Sequence, residues 1–151
     1  AREETLYAKK GTLVPACGGP ADGGRCLFCA EICEICVDVC PNRANVLVLA
    51  GGAARTAHQV VHIDRMCNEC GNCAVFCPHG GMPYRDKFTV FQNGADFADS
   101  ENPGFLPAGE KSFRLRLEDK SVLDWTAGEG GIPRNYGELI GTIMGDYSYL
   151  L

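Results

Sequence analysis

The sequence predicts an α+β protein: two related cysteine-rich halves, extended at the C-terminal end by a β-hairpin and one amphipathic helix. Three observations predict it. Two cysteine clusters share the ending Cys-x2-Cys-x3-Cys-Pro, at Cys33–Pro41 and Cys70–Pro78. Each is followed by residues that favour β-strands. Beyond residue 110 the hydrophobic period changes, from two over residues 112–118 to helical spacing over residues 136–147.

A chain of 151 residues holds one domain, or a small domain with an appendage. We divide it into an N-terminal extension at 1–24, a cysteine-rich domain at 25–92 and a small α+β appendage at 93–151. Hydrophobic content of 46% is ordinary, but ten cysteines and nineteen glycines are not. Only the second half has the residues for an apolar core of its own, so the loop-rich first half needs an inorganic stabiliser. The formal charge of −5 argues against nucleic acid as a partner. No apolar run has the length of a membrane span, and no signal-peptide pattern is visible. Disulfide scaffolds spread their cysteines to close loops, whereas here nine of ten fall in two tight groups, as metal ligands do. A reducing, cytoplasmic setting is expected.

Residues 1–10 read as a short charged helix that Gly11 ends. Residues 14–24 are dense in glycine and proline and read as an extended linker. Within it, Cys17 has no neighbour at ligand spacing and is read as a spare thiol. The first cluster offers five cysteines, Cys26, Cys29, Cys33, Cys36 and Cys40, for four roles. Alignment on Cys40-Pro41 puts Cys33 and Cys36 in regular positions and leaves Ala30 where the first ligand belongs. Cys29 is favoured for that role, because one extra residue makes only a wider loop. Cys26 is its alternative if the loop is re-routed.

Residues 46–50 and 59–64, flanking Gly51-Gly52, read as a hairpin. His62 alternates there with Val61 and Ile63 and is expected to face solvent. The second cluster, Cys67, Cys70, Cys73 and Cys77 followed by Pro78, has the C-x2-C-x2-C-x3-C-P spacing of iron–sulfur ligation. Two-residue gaps let successive thiolates curl around one corner-sharing cube, and Gly71 relieves crowding where the backbone passes close. Zinc sites usually show two well-separated Cys-x2-Cys pairs, and four cysteines inside eleven residues leave little loop for closure around one ion. The expected group is a [4Fe–4S] cluster.

Ile32, Ile35, Val37, Val39, Val75 and Phe76 are expected to keep water from the metal sites. His79 and residues 84–87 read as turns, and residues 88–91 as a strand. In the tail, Phe113, Leu115 and Leu117 share one strand face, and residues 122–125 return as its partner with Trp125 in the core. After the break at 128–133, Asn135 is a candidate N-cap for a helix. Its stripe of Tyr136, Leu139, Ile140, Ile143, Met144 and Tyr147 is expected to pack on the hairpin. Nothing on the chain reads as a catalytic residue.

The paired motifs resemble the bacterial two-[4Fe–4S] ferredoxins. More specifically, residues 36–46, 67–78, 81–91 and 102–106 resemble the C-terminal iron–sulfur part of selenate reductase-type flavoproteins, relatives of the glutamate synthase small subunit. The resemblance covers about residues 25–120. It implies a ferredoxin-like pseudo-twofold fold in which the fourth cysteine of each motif crosses to the other cluster. The first cluster would then take Cys29, Cys33, Cys36 and Cys77, and the second Cys67, Cys70, Cys73 and Cys40. It also implies a relay of single electrons between a flavin- and NAD(P)H-binding partner and another redox centre, in a hetero-oligomer. The chain has no GxGxxG fingerprint, so that nucleotide chemistry is expected on another subunit or domain. The alternative is a structural or regulatory metal module, iron–sulfur or zinc, without electron flow.

Overall fold

The computed structural model describes residues 33–49 and 58–151. The expectations that fall on Cys17, Cys26, Cys29 and Ile32, on the N-terminal helix and on the glycine turn lie outside them. In chain order the elements are α1 (Ile35–Asp38), β1 (Asn45–Leu49), β2 (His58–Ile63), α2 (Asn72–Val75), α3 (Pro83–Asp86), β3 (Thr89–Val90), α4 (Gly94–Asp99), β4 (Gly104–Pro107), β5 (Ser112–Arg116), β6 (Val122–Thr126) and α5 (Arg134–Asp146).

One six-stranded sheet runs in the order β1-β2-β3-β4-β5-β6. β1 and β2 pair antiparallel, with Asn45 opposite His62. β2–β3 and β3–β4 are parallel, and β4–β5 and β5–β6 are antiparallel. The second cysteine motif occupies the connection between β2 and β3. The boundary expected at residues 92–93 coincides with no break in the sheet, because two-residue β3 joins the cysteine half to the hairpin half.

Both faces of β1 and β2 are covered, and period-2 alternation assigns the side chains. Val48, Val61 and Ile63 join Phe88, Phe105, Phe113, Leu115 and Trp125 against Tyr136, Leu139, Ile140 and Ile143 of α5. Val60 and Leu47, on the opposite face, pack with Cys36, Cys73, Tyr84, Val37 and Val39. Strand β2 is buried from Gln59 to Ile63, the pattern of an interior strand and not of a half-solvated hairpin. His62 is therefore buried, 1% exposed, and does not face solvent. Its alternation with Val61 and Ile63 was real, but the second face carries the cysteine helices.

Three local expectations also change. α5 begins at Arg134 behind Pro133, so Asn135 lies inside the first turn. Residues 84–87 are no solvated turn: Tyr84 and Lys87 are 5% and 4% exposed. Phe76 is 54% exposed and is not among the described residues packed around Cys36 and Cys73. No described helix is long and apolar enough to cross a membrane.

Candidate metal centre

The two motifs repeat in backbone hydrogen bonding as well as in sequence. A shift of 37 residues carries Cys40 onto Cys77. The bonds Val37 N–H to Glu34 O, Val39 N–H to Ile35 O and Cys40 N–H to Val37 O recur as Ala74 to Gly71, Phe76 to Asn72 and Cys77 to Ala74. Arg43 N–H to Cys40 O likewise recurs as Gly80 to Cys77. Left-handed residues recur too. Glu34 (φ 55°) matches Gly71 (φ 78°), and Arg43 (φ 54°) matches Gly80 (φ 64°). Each residue before α1 or α2 thus turns the chain between two cysteines, at a strain that Gly71 avoids and Glu34 does not.

That turn presents Cys36 and Cys73, the most buried of the described cysteines at 6% and 7% exposure, toward the interior. Cys40, Cys67, Cys70 and Cys77 are half-buried and Cys33 is exposed. No disulfide joins any of these seven. Cys67, Cys70 and Cys73 share a recess with Cys40 of the first motif. The recess is also lined by Asn45, His62, Gly71 and Tyr84. Cys36 lies on α1 and Cys77 follows α2, and these two helices pack on each other.

Hydrogen-bond donors converge on the sulfurs of the recess. The Ala44 N–H donates to Cys40 Sγ (3.2 Å) and the Glu69 N–H to Cys67 Sγ (3.3 Å). Hydrogen bonding from the Tyr84 backbone and the Asn45 side chain acts to lower the Cys73 pKa. Burial nevertheless pushes the Cys67 and Cys73 thiols up to about 11, so binding a metal group must displace their protons. An all-sulfur donor set facing inward N–H groups fits an iron–sulfur cluster. Among the described residues no three His, Cys, Asp or Glu side chains converge on a single metal ion.

Asn45 and His62 were not legible as site residues. Asn45 is 2% exposed and gives Nδ2–H to the Cys36 carbonyl (2.9 Å), while its Oδ1 meets His62 Nδ1 at 3.0 Å. An amide oxygen only accepts, so neutral His62 carries its proton on Nδ1. The signal was in the strands: Asn45 and His62 oppose each other on the face that Val48 and Val61 do not use. Nothing in the sequence marks the Tyr84 N–H.

Burial lowers His62 from 6.5 to about 4. A base that protonates less readily when folded adds stability that is fully present above its unfolded pKa and is lost as pH falls toward the folded value. Between about pH 7 and about pH 5 that loss is about 2 kcal/mol. His62→Gln is expected to remove it, seen as a shallower fall of the urea midpoint over that range than in the wild type.

Two curated relatives are similar to this chain in sequence. Both carry the name "Putative oxidoreductase YgfK", one from Escherichia coli strain K12 and one from Escherichia coli O157:H7. Each is 51% identical over 124 residues, which take in 77% of this chain and 12% of the relative. The chain thus spans about an eighth of the length of the curated relatives it matches. No protein-family model and no solved structure matches it.

Proposed function

We propose that the chain is an electron-relay module carrying two [4Fe–4S] clusters on a ferredoxin-like pseudo-twofold domain. It passes single electrons between a flavin- and NAD(P)H-binding subunit or domain and a further redox centre. The observation that carries this reading is the recess that Cys67, Cys70 and Cys73 share with Cys40 from the other motif. The shared hydrogen-bond pattern of the motifs supports a second, related site at Cys33, Cys36 and Cys77, with Cys29 as its fourth ligand and Cys26 as the alternative. The oxidoreductase name of the relatives supports a redox role.

A bound cluster would supply a delocalised one-electron centre. The chain's own residues do the rest. The cysteine thiolates hold it, and Ala44 and Glu69 point N–H groups at the sulfurs of Cys40 and Cys67. The cover of Val37, Val39, Leu47 and Val60 lowers the polarity around Cys36 and Cys73. Apolar cover favours the less charged oxidised state, whereas N–H donors favour the reduced one.

Anaerobically purified chain is expected to be brown, to bleach with dithionite and to contain about eight irons and about eight acid-labile sulfides. A colourless protein carrying zinc would sink the reading and leave a structural metal module. Co-purification of a flavin- and NAD(P)H-binding subunit, or its presence in the same polypeptide, is expected for the proposed donor.

A further inference from the structure

A second cavity lies against the wall of the cysteine recess. It is an open cleft of about 710 Å³, and His62, Cys67 and Tyr84 line both the cleft and the recess. A group bound by the recess cysteines would therefore lie one residue away from the cleft.

The carboxyl groups of Asp64, Glu69, Asp86, Asp96, Asp99 and Glu101 line the cleft, against the cations Arg85 and Lys120. They arrive from separate parts of the chain: the turn after β2, the second cysteine motif, α3, α4 and the segment that follows α4. Lys120 donates to the Glu101 backbone carbonyl at 2.9 Å, and the Arg85 guanidinium lies 5.4 Å over the Tyr84 ring. The cleft thus carries a formal excess of negative charge.

An independent feature asks for the same kind of visitor. His62, 1% exposed, gives its Nδ1 proton to Asn45 Oδ1 and so keeps Nε2 as an acceptor. No described residue donates to that nitrogen. Carboxylates and an acceptor nitrogen on one wall suit N–H donors that carry positive charge. The cleft has the size of a ligand site, but its sign is wrong for the phosphates of a flavin or nicotinamide nucleotide, which the carboxylates would repel. Lysine and arginine side chains of a protein bring both the charge and the donors.

We propose that this cleft is the docking site through which the cluster assigned to Cys40, Cys67, Cys70 and Cys73 exchanges electrons with a protein partner, and that the partner presents a lysine- or arginine-bearing surface to it. The proposal rests on the electron-relay reading and names the surface chemistry of one partner. Docking there brings the partner's redox centre to the Cys67 side of the cluster. The carboxylates steer and hold the partner, and none of them supplies an atom to iron.

The test uses the full cluster-loaded chain, reduced, freed of excess reductant and mixed anaerobically with ferric cytochrome c, a basic protein, as the probe. Each haem takes one electron from a cluster, leaving ferrous haem and an oxidised cluster. The same probe with its lysines acetylated keeps the haem and loses the charge. At low salt the native probe is expected to be reduced about tenfold faster than the acetylated one, an advantage that high salt removes. In Asp99→Asn/Glu101→Gln, two exposed positions of the cleft, the advantage should fall to about threefold. Glu110→Gln/Glu129→Gln removes the same charge from exposed positions outside the cleft and should keep the wild-type advantage. Lys120→Gln, which removes a cation from the cleft, should raise it. With iron counted on every sample, equal advantages in the two double variants overturn the proposal and leave the relay reading standing. So does a wild-type chain that treats both probes alike. If the cleft double variant does not load iron, Lys120→Gln decides: an unchanged or lower advantage overturns the assignment. Wild-type chain without clusters ends the underlying reading instead.

Discussion

On the proposed two-cluster reading, Cys40→Ser is expected to abolish the cluster assigned to Cys67, Cys70 and Cys73 and to spare the one assigned to Cys33, Cys36 and Cys77. Sequence proximity argues for the opposite outcome, since Cys40 lies four residues from Cys36 and twenty-seven from Cys67. Geometry decides the matter: Cys40 lines the recess of the second motif, and the Ala44 N–H holds its sulfur at 3.2 Å. A serine oxygen is a harder and far less acidic ligand than a thiol, so the site would be left with three thiolates. Iron should fall from about eight to about four per chain, with one of two reduced-state resonance signals lost. The rest of the fold should persist, because among the described residues the core between the sheet and α5 contains no cysteine. Loss of the first motif's cluster alone, the one that includes Cys33 and Cys36, would instead show that each motif closes on itself.

Much of this was legible in the sequence, for identifiable reasons. Cysteine spacing is a local quantity, and metal ligation imposes it directly, so the seven described candidates could be named without a fold. The strict alternation of residues 112–117 and the helical stripe from Tyr136 to Ile143 are also local, and both appear as β5 and α5. What stayed hidden depends on what lies against each face. One strand reads the same whether its second side meets water or a cysteine helix, so in the sequence His62 reads as solvent-facing and Asn45 carries no signal. Tyr84 and Lys87 sit in a stretch whose polarity suggests a turn. Their burial follows from the short helix α3 lying between α2 and β3, a tertiary fact. The continuity of the sheet across residue 92 was equally hidden, since β3 is two residues long and too short to announce a strand.

That same short strand makes Gly104→Ala the second large expected effect, a loss of about 3 kcal/mol of stability. Gly104 is paired with Thr89 across the parallel β3–β4 junction. A Cβ there would lie 2.0 Å from the Thr89 carbonyl oxygen and 2.8 Å from its carbon and nitrogen. Those atoms are backbone, so no rotamer change relieves the clash. Nor can either strand recede easily. Thr89 is held by its N–H to the Pro103 carbonyl and by Asn102, whose Nδ2 reaches both Thr89 Oγ1 (3.1 Å) and the Tyr84 carbonyl (2.8 Å). On the other side Gly104 is in register with Arg116. The Arg116 guanidinium donates to the Phe97 carbonyl at 2.7 Å and lies 4.2 Å over the Phe97 ring. Separating β3 from β4 would also disturb α3, whose Tyr84 lines the recess with Cys73, so faster loss of the proposed cluster in urea should accompany the lower midpoint. Gly109→Ala is the control, because its Cβ would meet nothing closer than 3.8 Å and should change stability by less than about 1 kcal/mol. The comparison isolates space as the cause, since removing glycine's freedom in the unfolded chain acts alike at both positions. Equal midpoints for the two variants would mean that Gly104 and Thr89 do not pack this closely in solution.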